Sequence, residues 1–298
     1  ESMRCFRQTM AVAGYNFRQW ERNPRIVITF MLNFILCFLL SDRVVAFAKA
    51  HEKTTQLAEA FVWTFGNSSS ILLTSVLLIL LFADMPFLTS GTPFYLVRIN
   101  RRVWVAGQAL YVTAATGLYM AFTFLSTVVL CMRNSFPGDK WSPTAVILGY
   151  QGSNVVLPAS LKVMEATTPY RCAAVIFLLM LLYALVLVFL MLVFSLYKGQ
   201  AAGVVSAFSF TIYGILLDPG TFMKLFNLTE AEKYKANVAV GWLSPLNHAT
   251  YAMHNFGHDL LPTLSQTGMV LGVLLILLGI AAWRIMQKYN FSFTGTEI

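Results

Sequence analysis

Charged residues make up only 11% of this 298-residue sequence, against about 25% in ordinary soluble domains. That scarcity excludes a conventional water-soluble fold. The charges present gather between long apolar runs, and none of those runs holds an Asp, Glu, Lys, Arg or His in its interior. An ionisable side chain inside a bilayer is costly and is normally kept for a proton relay or an ion site. Its absence weighs against an ion- or proton-coupled carrier, and against carboxylate- or metal-based catalysis within the membrane. No GxxxxGKS or GxxxxGKT phosphate loop occurs, so nothing points to P-loop nucleotide hydrolysis by the chain itself. No residue presents itself as catalytic, and no enzyme activity or bound cofactor is expected of this chain. Cysteine is also sparse: Cys5, Cys37, Cys131 and Cys172 have no CxxC partner and no His at ligand spacing, which excludes the usual cysteine metal sites. They read either as four free thiols or, for Cys131 and Cys172 bracketing one loop, as a disulfide on an oxidising face.

What fills the sequence instead is apolar. Hydrophobic residues reach 57% and the mean hydropathy is +0.66. Runs near the ~20 residues needed to cross a bilayer core fall at 26–40, 61–82, 103–130, 172–197, 201–217 and 264–283. The expected fold is an all-α integral membrane protein: six transmembrane helices, an N-terminal interfacial helix and two long outer loops. Residues 1–25 are expected to be the interfacial connecting helix, and 26–298 a six-span transmembrane domain with a short cytoplasmic tail. Phe6, Met10, Ala13, Phe17 and Trp20 recur at helical spacing and make one apolar stripe. Arg4, Arg7, Arg18 and Arg22 to either side suit a helix sunk among lipid headgroups, though a helix packed on a partner has the same pattern. Asn23 before Pro24 is an N-cap followed by proline at the first helical position. The first span should start there and end at Asp42 and Arg43.

The net charge of +8 does not call for nucleic acid, because basic residues beside apolar spans are explained by anionic lipid and the positive-inside bias. With a cytoplasmic N-terminus, eleven of the 21 Lys and Arg fall in short inner segments and ten in much longer outer loops. This favours a multi-pass protein of the cell membrane with both termini cytoplasmic. The first 25 residues lack the form of a cleavable signal peptide.

Two outer loops are long, and loops of that length seldom lack structure. The stretches 155–158 (Val-Val-Leu-Pro) and 222–226 (Phe-Met-Lys-Leu-Phe) are expected to form short helices there. His248, His254 and His258 lie in the second of these loops with Asp259; His254 and His258 have the i, i+4 spacing that binds a metal when it falls on a helix. Solvated loop histidines are the plainer reading, and no metal site is assigned. Gly199 and Gly203 are spaced for close helix contact. No internal repeat of the kind found in inverted-repeat transporters is visible.

The inner loop from Asp84 to Arg102 is the most informative stretch. Thr92 before Pro93 again marks a helix start. The short helix beginning there carries Phe94, Tyr95 and Leu96 and is followed by Arg98, Arg101 and Arg102. Exposed aromatics closed by arginine suit a peg for a groove on a soluble partner, or an interfacial helix anchored to lipid.

Three segments carry a family resemblance: 20–25 (Trp-Glu-Arg-Asn-Pro-Arg), the inner loop leading into 101–108 (Arg-Arg-Val-Trp-Val-Ala-Gly-Gln), and 242–248 (Trp-Leu-Ser-Pro-Leu-Asn-His) ahead of the last span. With the pattern of spans, they resemble the permease subunit of type-2 ATP-binding-cassette (ABC) exporters. The resemblance implies that two such permeases, copies or homologues, pair in the membrane, each with a separate nucleotide-binding subunit that holds the ATP and magnesium. It makes Pro93, Phe94, Tyr95, Leu96 and Arg98 the coupling contact. It also lines the route with the first, second and fifth spans, where the candidate polar groups are Asn33, Asn67, Ser68, Ser70, Thr74, Ser75, Ser206, Ser209 and Tyr213. Such groups serve equally to bond helix to helix. An ion-coupled transporter or channel, and a non-transporting scaffold or immunity protein, are the other classes this pattern admits.

Overall fold

In a computed structural model the described residues are 2–87, 99–150 and 160–288. The helices are α1 (Ser2–Arg18), α2 (Pro24–Ala50), α3 (Glu59–Phe65), α4 (Ser68–Leu81), α5 (Arg101–Cys131), α6 (Pro143–Tyr150) and α7 (Leu161–Ala166), followed by α8 (Pro169–Lys198), α9 (Gln200–Leu216), α10 (Pro219–Leu225), α11 (Lys233–Leu243), α12 (Pro245–Ala249) and α13 (Leu264–Lys288). Two short strands, β1 (Thr55–Gln56) and β2 (Ser135–Phe136), pair in parallel.

Four helices, α2, α5, α8 and α13, are long and apolar enough to cross a membrane; counting each bent pair as one span brings the total to six. The bent pairs are α3 with α4, turned by 84°, and α9 with α10, turned by 80°. The apolar run 61–82 is therefore not one straight helix. It breaks at Gly66 and Asn67, where Asn67 adopts an extended backbone and its side chain accepts a hydrogen bond from the Ser69 N–H at 3.3 Å, starting α4 afresh. The first span departs from expectation in the other direction. The Asn23 side chain caps α2 through the Arg25 N–H and Pro24 opens it, but the helix runs on through Asp42 and Arg43 to Ala50. A charged side chain does not interrupt backbone hydrogen bonding; it only marks where the apolar stretch stops. The expected helix at 222–226 exists as α10, capped by Asp218, while the stretch 155–158 lies outside the described residues.

The bundle is built around α8, with 56% of its most apolar stretch buried, against 28% for α2 and 17% for α13. Val27, Met31, Ile35 and Phe38 on α2, and Met269, Val273, Ile276 and Ile280 on α13, face outward. A soluble chain rarely tolerates a continuous apolar belt of this kind, whereas lipid tails accept it. Between α8 and α9 the backbones come close at Gly203, where an added Cβ would sit 2.7 Å from the Met191 carbonyl oxygen. Gly199, by contrast, turns the chain between the two helices at φ +93°, a conformation glycine adopts without a Cβ penalty.

Helix α1 lies along α5. Its packed side is Val12, Ala13 and Asn16, joined by Phe17 and Trp20, while Phe6 and Met10 of the expected stripe stay exposed. Val12 fits over Gly107, where a Cβ would come within 2.6 Å of it. The connecting helix thus rests on the chain's own third apolar run, with its first two turns free to meet lipid.

Candidate functional site

The molecule has two ends of distinct chemistry. At the terminal face, near both the first and last helices, Asp84 is the meeting point. Its carboxylate pairs with the Arg25 guanidinium at 2.7 Å and accepts from the Asn23 side-chain amide at 3.1 Å, while its backbone carbonyl accepts from Gln200 at 3.2 Å. One residue thereby ties together the start of α2, the exit from α4 and the start of α9. Burial pushes the Asp84 carboxyl above its usual value against the opposing pull of Arg25. Beside it, Asn16 donates to Gln108 at 2.9 Å and the Trp20 indole N–H donates to the Tyr111 hydroxyl at 2.8 Å. A cleft of about 310 Å³ runs between these groups, bordered by Arg22, Asn23, Asp84, Phe87, Tyr111 and Gln200. Arg101 donates to the Gln287 carbonyl at 3.1 Å, and the Arg102 guanidinium lies over the Trp283 ring, which brings the start of α5 against the end of α13. Segments 20–25, 84–87 and 101–111, far apart in sequence, form one junction. Pro93, Phe94, Tyr95, Leu96 and Arg98 lie outside the described residues.

At the opposite, distal face a cavity of about 780 Å³ opens between α4, the end of α9, and helices α11 and α12. Ser68 and Ser69 at the first turn of α4, Asp218, Asn237, Asn247 and His258 are among its polar lining. Lys162 and Asp259 form an ion pair at its edge.

The nine sequence-derived path residues divide sharply. Ser68 lines the distal cavity. Asn67 caps α4. Thr74 and Ser75 donate to the carbonyls of Ser70 and Ile71, one helical turn back, and Ser206 donates to that of Gly203. Ser70 itself is buried. Asn33 is fully buried and donates to Thr123 on α5 at 2.8 Å, a helix-to-helix bond. Ser209 and Tyr213 are exposed on the flank of α9. Only one of the nine is thus brought to a cavity wall.

Residues that periodicity did not single out hold the distal face together. Glu59 is fully buried, and its carboxylate accepts from the Ser142 N–H at 2.6 Å, the Ser142 hydroxyl at 2.5 Å and the Gln56 N–H at 3.1 Å. With the β1–β2 pairing, this clasps the chain before α3 to the chain between α5 and α6. Its position at the first turn of α3 was a legible signal, since an acidic residue there complements the helix dipole; its partner 83 residues away was not.

The histidines do not form the ligand pair that their spacing allows. Residues 254–258 are not helical, so His254 and His258 do not share a ligand face. His254 is buried and bonds to Thr267, and His258 faces the cavity. Among the described residues no group of three His, Cys, Asp or Glu side chains could hold a metal ion. Cys131 and Cys172 are buried free thiols, not a disulfide.

Helical bundle, apolar belt and polar ends together define an all-α protein of membrane type. No family model matches the sequence, and no curated protein or solved structure matches it either.

Proposed function

We propose that the chain is the transmembrane subunit of an ATP-driven exporter of the ABC type, multi-pass in the cell membrane. Six spans, with each bent pair counted as one, pair with a second copy or a homologue to form the route. A separate nucleotide-binding subunit, carrying ATP and magnesium, docks on the 84–102 segment through Pro93, Phe94, Tyr95, Leu96 and Arg98. The terminal face, with the end of α13, is cytoplasmic, in keeping with the basic residues of α1 and with Arg101, Arg102, Arg284 and Lys288.

The observation that carries this reading is the junction at Asp84. A push delivered to the loop that follows Asp84 reaches the start of α2 through Arg25 and Asn23, and the start of α9 through Gln200. Energy supplied from outside the chain needs a stiff mechanical inlet of that kind. The apolar runs 26–40, 61–82, 103–130, 172–197, 201–217 and 264–283 carry no ionisable group to draw on an ion gradient, and the buried Glu59 at the distal end is already engaged by three donors.

The test is purification of the full chain from native membranes, followed by reconstitution with whatever P-loop ATPase accompanies it. The expected result is a stable complex whose ATPase activity changes on addition of cargo. Flux driven by a pH or ion gradient through the purified chain alone would overturn the proposal in favour of a secondary transporter or channel. A chain that recruits no ATPase and moves nothing would be a scaffold.

A further inference from the structure

Behind the wall of the distal cavity, two buried imidazoles converge on one hydroxyl. His248 Nδ1 lies 2.8 Å and His254 Nε2 2.9 Å from Thr267 Oγ1. The outer nitrogens face carbonyls: His248 Nε2 lies 3.0 Å from the Trp242 oxygen, and His254 Nδ1 lies 3.0 Å from that of Thr250 and 3.2 Å from that of Tyr251. All three side chains are at most 2% exposed. The chain therefore has four stations in series: carbonyl to His248, His248 to hydroxyl, hydroxyl to His254, and His254 to carbonyl.

Each station needs one hydrogen. A carbonyl only accepts, so each outer nitrogen must carry a proton, and a neutral imidazole then has only a lone pair left on its inner nitrogen. The Thr267 hydroxyl brings one hydrogen and can serve one of those two lone pairs. Two neutral imidazoles and one hydroxyl supply three hydrogens for four stations. Whichever tautomers are chosen, one contact sets lone pair against lone pair. One added proton fills the gap; a second would set two imidazolium cations on one hydroxyl and leave that hydroxyl's hydrogen without a station.

From this geometry we propose that His248, Thr267 and His254 form a binding site for a single proton, shared by the pair, whose occupancy sets the position of the cavity wall. Leu246, Asn247, Ala252 and Met253, each within two positions of one of the histidines, are themselves wall residues. Thr267 belongs to α13, so the site bonds the wall to the last apolar helix. Burial lowers both imidazoles below the ordinary histidine value, and for His254 a charge on His248 adds to that lowering. The proton therefore enters on the acid side of that value.

The surroundings supply no competing partner. Helix α8 brings Tyr170, Arg171 and Cys172; α7 carries Lys162 and Glu165; α11 carries Lys233, Tyr234 and Lys235; α9 has Tyr213, and Tyr251 stands beside His254. At the distal end α5 adds only Cys131, and neither α4 nor the first twenty residues of α13 hold an ionisable side chain. Lys162 pairs with Asp259, Lys233 with Glu230 and Lys235 with Glu232. Among the described residues, the bonds to the two rings come only from Thr267 and the three carbonyls.

The experiment uses the full chain in nanodiscs with isotope-labelled histidine, in a His51→Gln, His258→Gln background that leaves two imidazole signals. Between pH 8 and pH 4, both signals should move in one transition that takes up one proton per chain. Thr267→Ser, which keeps the hydroxyl, should retain that transition, and Thr267→Val should abolish the coupling. A thiol placed by Met253→Cys, on the cavity wall, should change its labelling rate across the same transition, and not in Thr267→Val. Two independent protons, no uptake down to pH 4, or a flat labelling rate in the parent would each overturn the proposal.

Discussion

Among the described residues, Glu59 is the one carboxylate that is fully buried, and it is held by hydrogen-bond donors instead of a cation. In Glu59→Gln, one of its two acceptor oxygens becomes an NH₂ group that confronts the backbone N–H of Ser142 or Gln56. Losing a charged acceptor and leaving a buried donor unmet costs about 2 kcal/mol, so thermal unfolding in detergent should show a clear loss of Tm, with Ser142→Ala milder. Asp84 gives the pH-dependent counterpart. Its folded midpoint is raised by burial, so over the range between its usual and its raised value the folded chain holds the proton more tightly than the unfolded one. The contribution of this group to stability is therefore largest at low pH and is lost as the pH rises through the raised midpoint. Subtracting the Tm–pH curve of Asp84→Asn from that of the parent should isolate this slope. Neither residue's role was visible from its neighbours in sequence, because each acts through a partner more than 50 positions away.

At the scale of elements, the long runs are readable because nothing interrupts their hydrophobicity. The expected 103–130 and 172–197 correspond to α5 (Arg101–Cys131) and α8 (Pro169–Lys198). The break in 61–82 is harder, because hydropathy does not register backbone direction. The cue is Gly66-Asn67 before three serines, a helix stop followed by a helix start. Asn23-Pro24 is legible as such a start, and the same polar-then-proline pair opens four more helices, at Ser142-Pro143, Thr168-Pro169, Asp218-Pro219 and Ser244-Pro245. Applied along the whole chain, that rule outlines the distal helices. The polar groups on the spans are less legible, since a hydroxyl that bonds one turn back along its own helix looks the same in sequence as one lining a route. Packing at this scale is tested by Gly203→Leu, which drives a side chain into the Met191 carbonyl and should cost about 1–3 kcal/mol. Gly272→Leu, in open space on α13, should leave the Tm of the purified chain unchanged.

At the scale of the whole molecule, the terminal junction and the distal clasp lie at opposite ends of the same helices. If the proposed exporter is driven through Asp84, Asp84→Asn should leave assembly with the ATPase intact while reducing cargo-stimulated turnover about tenfold. Unchanged coupling in the reconstituted complex would remove Asp84 from the transmission path. The clasp lends itself to the complementary measurement. Thr55 and Ser135 pair across β1 and β2 with their hydroxyls 3.0 Å apart, and a Thr55→Cys, Ser135→Cys pair cross-linked by a short thiol reagent should retain full turnover.

That outcome follows from mechanics. Where the end of α2 is riveted through β1 to the chain after α5, and its start is joined to the exit from α4 through the Arg25–Asp84 salt bridge and the Asn23 amide, relative movement of α2 and α5 becomes a swing about the rivet. Displacement grows with distance from β1 and β2, so the two-residue sheet acts as a fulcrum. In the proposed exporter the spans would then work as levers, with their widest travel at the Asp84 end.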